Sequence, residues 1–126
     1  MGMTFIENIL SRHSGNEIVK PGEIVDVEID VRAARDFGGP NVVKNLIENN
    51  LKIDDPAKTF FTFDTNPTGS DQKYAENQQV CRNFARAEGI KIFDINIGIG
   101  THLVFEKGIA VPGSTLVSTD SHAKCR

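Results

Sequence analysis

With 126 residues, 39% hydrophobic and 25% charged, the chain has the length and composition of one soluble globular domain spanning residues 1–126, able to bury a core without disulfides or a structural metal. The net charge of −3 is spread with both signs mixed, so no basic stripe suits a phosphate backbone and nucleic acid is not expected as a partner. The apolar runs are only strand-length, and MGMTFIENILSRH lacks the charged-then-apolar pattern of a signal peptide. No membrane contact is therefore expected, and the cytoplasm is the expected location.

Taken in chain order, Thr4 can cap a helix over residues 4–12 with Phe5, Ile6, Ile9 and Leu10 as its apolar side. His13 closes that helix, where it can meet the terminal carbonyls, and is assigned no chemistry. Ser14-Gly15-Asn16 breaks the helix and Lys20-Pro21-Gly22 is a turn. Residues 23–31 read EIVDVEIDV, and Val25, Val27, Ile29 and Val31 alternating with polar residues predict a half-buried strand.

Gly38-Gly39-Pro40 leads into a predicted helix over 41–49, with Val42, Val43, Leu46 and Ile47 facing the core. A Phe-rich strand is predicted over 59–64, followed by a turn-forming loop over 66–70. Asp71 can cap a long helix ending at Gly89, with Tyr74, Cys81, Phe84 and Ala85 inward. Next come a strand over 90–95, a glycine-punctuated loop, a short helical turn over 102–107 and a last strand over 114–119. Strands separated by helices predict an α/β sandwich: a mostly parallel sheet flanked by helices.

Few residues carry a chemical signal on their own. Cys81 and Cys125 have no metal-ligand spacing; the first reads as a small buried hydrophobe and the second as a mobile thiol. Gly98 and Gly100 follow a predicted strand, but Leu103 stands where a dinucleotide turn needs its third glycine, so a plain loop is expected. Asp120-Ser121-His122 follows the last strand. Three consecutive residues do not make a catalytic triad, which depends on geometry, so a surface loop is the plain reading. Arg35, Asp36, Asp64 and Asn66 fall at strand-to-loop junctions. An arginine fork and carboxylates there can hold a carboxylate substrate, and Asp and Asn there can also simply make turns.

Several segments together resemble one family. MGMTFIENILSRHSG, VKPGEIVDVEIDV, FTFDTNPTGSDQKYAENQQVCRNFARAEGI and FDINIGIGTHLVFEKGIAVPGSTLVSTDSH resemble the N-terminal segment of isopropylmalate dehydratase and homoaconitase large subunits, in the aconitase superfamily. The resemblance runs through nearly the whole chain. It implies a fold like the N-terminal part of the first aconitase-type domain. It also implies a hydro-lyase ancestry, in which an iron–sulfur cluster holds a hydroxy-dicarboxylate and histidines paired with carboxylates assist the leaving hydroxyl.

The departures from that pattern shape the functional expectation. Arg35-Asp36 stands where the family shows His-Asp, and Asp64-Thr65-Asn66 where it shows Asp-His-Asn. Thr101 falls on the histidine of the family's Gly-Ile-Cys-His-Gln, with His102 one place late; a local shift would restore it. Asp120, Ser121 and His122 match the family's Asp-Ser-His and are the catalytic remnants, while Arg35, Asp36, Asp64, Asn66 and His102 are the substrate-binding candidates. Threonine cannot take over the proton transfer of an imidazole near neutral pH, and two cysteines do not supply three cluster thiolates. No cofactor or metal is therefore expected, nor activity from this chain alone. The expected function is a non-catalytic module that binds a protein partner and regulates or inhibits a host complex. The alternatives are a split or truncated dehydratase subunit needing a second chain, and a sensor of di- or tricarboxylates. In the parent fold this segment packs against the rest of its domain, so exposed apolar surface and a homodimer are expected.

Overall fold

A computed structural model describes residues 2–68 and 70–120. The first helix, α1 (Phe5–Ser14), begins at a capping box: Thr4 Oγ1 accepts the Glu7 amide at 3.3 Å and the Glu7 carboxylate accepts the Thr4 amide at 2.6 Å. Gly15, at φ 73°, ends it in the left-handed conformation glycine tolerates. No residue of α1 is buried. Ile9 and Leu10 are half-covered, but Phe5 and Ile6, expected to face the core, are 73% and 68% exposed.

Residues 23–30 are extended but form no strand. The alternation is real in burial: Val25, Val27 and Ile29 are half-buried, and Asp26 and Glu28 between them are exposed. The segment is tethered rather than laddered. The Glu28 amide donates to the His13 carbonyl at 2.9 Å, and Thr115 Oγ1 donates to the Glu28 carbonyl at 2.8 Å. Regular pairing starts only with β1 (Val31–Arg35).

From there the chain alternates: α2 (Gly39–Glu48), a 3-10 turn (Pro56–Lys58), β2 (Thr59–Thr62), α3 (Gln72–Glu88), β3 (Lys91–Phe93), α4 (Gly100–Glu106) and β4 (Leu116–Ser118). The four strands form one parallel sheet in the order β3-β2-β1-β4. Period-2 alternation sends neighbouring phenylalanines of β2 to opposite faces. Phe61 joins Ala34, Val43, Phe63, Cys81, Ala85 and Ile90 under α2 and α3. Phe60 joins Val31, Phe93, Leu103, Val104 and Ala110 with α4. Both sheet faces are thus covered, as a parallel sheet requires. The layered α/β architecture is the one expected, with every pairing parallel.

α3 matches its sequence signals closely. Asp71 Oδ1 accepts the Tyr74 amide at 3.3 Å, and Gly89 caps the far end at φ 75°. Its inward face is Gln78, Cys81 and Ala85, with Phe84 packed beside them. α2 presents mainly Val43 to the core; Ile47, expected there, is 62% exposed. Only Gly39 and Val43 of α2 are buried, and an apolar groove of about 380 Å³ stays open beside Val42 and Leu46.

The chain steps outward from β1 to β2 to β3, then crosses back through α4 to place β4 on the other side of β1. The direction of travel reverses between β1 and β4. In open α/β sheets, ligand crevices form outside the carboxyl ends of the strands at such a reversal.

Candidate functional site

The carboxyl edge of this sheet gathers most of the polar residues singled out in the sequence. Arg35 ends β1 and lies between two carboxylates. Its Nε donates to Asp64 Oδ1 at 2.7 Å, beyond the end of β2, and its Nη1 donates to Asp120 Oδ1 at 3.0 Å, beyond the end of β4. The second oxygens are also engaged. Asp64 Oδ2 accepts the Gly100 amide at 2.6 Å, and Asp120 Oδ2 accepts Thr101 Oγ1 at 2.5 Å. One guanidinium, two carboxylates and the first turn of α4 therefore tie four chain segments together.

The cluster is nearly dry. The side chains of Asp64 and Asp120 are 4% and 5% exposed and that of Arg35 is 24% exposed. Burial alone lowers the Arg35 pKa, but the bonds and charges of Asp64 and Asp120 outweigh it, and the guanidinium is held above its ordinary value. It is the permanent cation of the cluster. The cavity bounded by Arg35, Thr62, Gly100, Thr101 and Asp120 is about 10 Å³, which is at most one water. Gly100 is needed for this closure: a Cβ there would lie 2.6 Å from Thr62 Cβ.

Asp36, one residue beyond Arg35, does not join the cluster. It is fully buried and accepts the Thr65 amide at 3.2 Å and Gln78 Nε2 at 3.1 Å. Asn66 is a turn residue: its carbonyl accepts Gln78 Nε2 at 3.3 Å and its side-chain oxygen accepts Thr68 Oγ1 at 2.9 Å. His102 sits half-buried on α4, directly after Thr101. Ser121 and His122 lie outside the described residues, as does Cys125.

Sequence reasoning singled out Arg35, Asp64 and Asp120, and the structure brings them together. It missed Gln78, the Gly100 amide and the pairing of Thr101 with Asp120. Gln78 had a signal, since it shares the helical spacing of Cys81 and Ala85 and is an amide on an otherwise apolar face. A second pair was also missed. Arg82 holds Asp94 through two bonds of 2.8 and 3.2 Å, with its guanidinium carbon 5.0 Å from the centre of the Phe63 ring. That guanidinium keeps the Asp94 pKa below the ordinary carboxylate value.

The arrangement can hold charge, but it has little free capacity to move a proton. Each carboxylate oxygen of Asp64 and Asp120 already accepts a bond. The hydroxyls at 65 and 101 do not titrate near neutral pH. Thr65 Oγ1 is buried with no hydrogen-bond partner among the described residues. Nor do the described donors fit an iron–sulfur cluster. Cys81 is fully buried, and desolvation, reinforced by the charge of Asp36, pushes its thiol up to about 12, far from a thiolate ligand. Among the described residues, no group of three or more His, Cys, Asp or Glu is placed to hold a metal ion. None of their helices is long and apolar enough to cross a membrane.

Comparison with known proteins gives the same fold lineage. The model of the aconitase family (aconitate hydratase) matches residues 7–125. The 3-isopropylmalate dehydratase large subunit of Methanoregula boonei is 38% identical over 123 residues, covering 97% of this chain and 29% of the relative. The corresponding large subunit of Aquifex aeolicus is 36% identical over 124 residues, and that of Sulfurihydrogenibium sp. 35% over 125, again with 97% and 29% covered. The chain thus spans under a third of the length of these relatives, and the match of the family model over residues 7–125 makes it a member of the aconitase family.

Proposed function

We propose that this chain is a non-catalytic member of the aconitase family that works by binding a protein partner and regulating or inhibiting the complex it joins. The observation that carries this reading is the internal saturation of the carboxyl-edge cluster. Arg35 is taken by Asp64 and Asp120, the remaining carboxylate oxygens are taken by the Gly100 amide and Thr101, and about 10 Å³ is left open. A substrate carboxylate at Arg35 competes with two buried counter-charges already bonded to it, and no titrating imidazole stands at 65 or 101.

Binding is supported by what the fold leaves uncovered. An apolar groove of about 600 Å³ runs between α1 and the β4 side of the sheet, walled by Phe5, Ile9, Phe105, Val111, Leu116 and Val117. Beside it β4 is an edge strand, with Val117 53% exposed. An apolar groove next to an open strand edge suits a partner segment that adds to the sheet and seats its side chains in the groove. A second copy of the chain, giving a homodimer, is one occupant with that chemistry.

The second reading is a split or truncated subunit of a 3-isopropylmalate dehydratase-type hydro-lyase, completed by further polypeptide. It is favoured by the 29% coverage of the relatives. Reconstitution separates the two. The chain is mixed with a cysteine-bearing dehydratase polypeptide and assayed for hydration of a hydroxy-dicarboxylate. The non-catalytic reading expects tight association without turnover that depends on Asp120; activity lost on Asp120→Asn replaces it with the split-subunit reading. Citrate, isopropylmalate and homocitrate at millimolar concentration test a carboxylate-sensing role, which requires a rise in melting temperature by mass action.

A further inference from the structure

α1 is unusual among the helices of this fold because it buries no residue. What holds it is a polar junction at its last turn. His13 Nδ1 is 2.8 Å from the Ile9 carbonyl and Nε2 is 2.7 Å from Asp30 Oδ2. Both partners are acceptors only, so both contacts are hydrogen bonds only when both ring nitrogens carry a proton, that is, in the imidazolium. Asp30 passes the connection on. Its Oδ2 also accepts the Thr115 amide at 3.0 Å, and its own amide donates to Thr115 Oγ1 at 2.9 Å, immediately before β4. The Glu28 amide adds one backbone bond to the His13 carbonyl.

We propose that the His13–Asp30–Thr115 junction is a protonation-gated latch that holds α1 against the β4 side of the apolar groove, docked while His13 is imidazolium and released when it is neutral. α1 contributes Phe5 and Ile9 to the groove, and the far wall carries Phe105, Val111, Leu116 and Val117. Losing one His13 proton turns a donor into a lone pair facing either the carbonyl or the carboxylate. Beyond the junction, α1 is held by the half-covered Ile9 and Leu10 and the single Glu28 backbone bond, with no fully buried apolar anchor.

The charged groups acting on the imidazole are Asp30 and, at longer range, Glu28, both on the extended segment before β1; Lys58 from the 3-10 turn pairs with Glu28 at 3.2 Å. Arg12 is its basic neighbour on α1. The Ile9 carbonyl first, and then Asp30, raise the His13 pKa above its ordinary 6.5; Asp30 is held below its ordinary 3.8 by the Thr115 amide and then by His13. The latch is therefore closed through mildly acidic pH and opens as pH rises through the raised histidine value. It belongs to the free chain and does not depend on any partner.

The chain has no tryptophan, so Phe5→Trp places a single reporter on α1 at the groove. Tryptophan anisotropy of the full chain is followed from pH 5 to pH 9, with far-UV circular dichroism showing that the sheet stays folded. The latch predicts high anisotropy at pH 5–6, a one-proton fall as pH rises through the raised His13 value, and loss of that transition in the Phe5→Trp/His13→Gln double variant. NMR of the His13 ring in the unmodified chain must titrate at the same midpoint. An anisotropy that stays flat over pH 5–9, a transition that survives His13→Gln, or a His13 midpoint that does not coincide overturns the proposal.

Discussion

At the scale of single residues, Arg35 carries the most consequence. Its removal takes a bonded guanidinium from two carboxylates, each about nineteen-twentieths buried. Breaking a buried pair by deleting one partner costs roughly 3–5 kcal/mol, and the partial exposure of Arg35 places it near the low end. Arg35→Ala should therefore destabilise the chain by about 3 kcal/mol in urea denaturation, and adding Asp64→Asn should recover part of that loss. Equal losses in the single and double variants would mean that the cluster is not electrostatically coupled. Gly100 makes a second residue-scale prediction. A methyl group there meets Thr62, which is 2% exposed and unable to retreat, so Gly100→Ala should cost about 1–3 kcal/mol by overpacking. These two sites differ in how visible they were beforehand. Arg35, Asp64 and Asp120 were legible because charged residues at strand ends converge on one edge of a parallel sheet. The Gly100 contact was not, because the approach of α4 to β2 joins residues 38 positions apart and nothing local in the sequence encodes it.

At the scale of elements, caps carried most of the readable signal. Thr4, Asp71 and Gly89 end their helices with the bonds or backbone expected of them. Asp71→Ala should lower stability by about 1 kcal/mol by leaving the Tyr74 amide uncapped, measurable as a shift of the denaturation midpoint. Alternation was a less faithful guide. The EIVDVEIDV segment alternates in burial as a strand does, yet before Val31 its backbone is bound singly by His13 and Thr115, because β4 and β2 begin opposite Val31 and Arg32. Period 2 reports which side of an extended chain is covered and says nothing of whether a ladder forms. The apolar side of α1 misled in a similar way. An amphipathic pattern marks a face that can be buried, and in this chain Phe5 borders a groove that the fold leaves open while Ile6 is 68% exposed.

The His13–Asp30 pair sets a pH window for the same element. His13 has a raised folded pKa, so its contribution is complete below its ordinary 6.5 and is lost as pH rises through the folded value. Asp30 has a lowered folded pKa, so its contribution is present above its ordinary 3.8 and is lost as pH falls through the folded value. The stability difference between the chain and its His13→Gln variant should therefore be largest between about pH 4 and 6.5 and shrink on either side. Chemical denaturation at a series of pH values reads it directly.

At the scale of the whole molecule, the sheet has covered faces and an uncovered edge. Core residues such as Phe63, Phe93 and Val104 are at most 2% exposed, so α2, α3 and α4 have done their packing. The β4 edge and the groove beside it have not been used within the described chain. The family lineage, read from the motif series and upheld by the match over residues 7–125, accounts for the fold. It does not account for the saturated cluster, which depends on which side chains stand at 35 and 101. The most direct test of the account places a charge in the groove and leaves the cluster intact. Tagged chain and its Val117→Asp variant are each incubated with the purified candidate partner, a cysteine-bearing dehydratase chain or untagged chain of 13.8 kDa, and the stoichiometry of the complex is read by light scattering. The account predicts a stoichiometric complex with the native chain, lost with Val117→Asp, and no hydratase turnover in either sample. Monomeric native chain with both partners, a complex indifferent to Val117→Asp, or turnover by the native complex would contradict it.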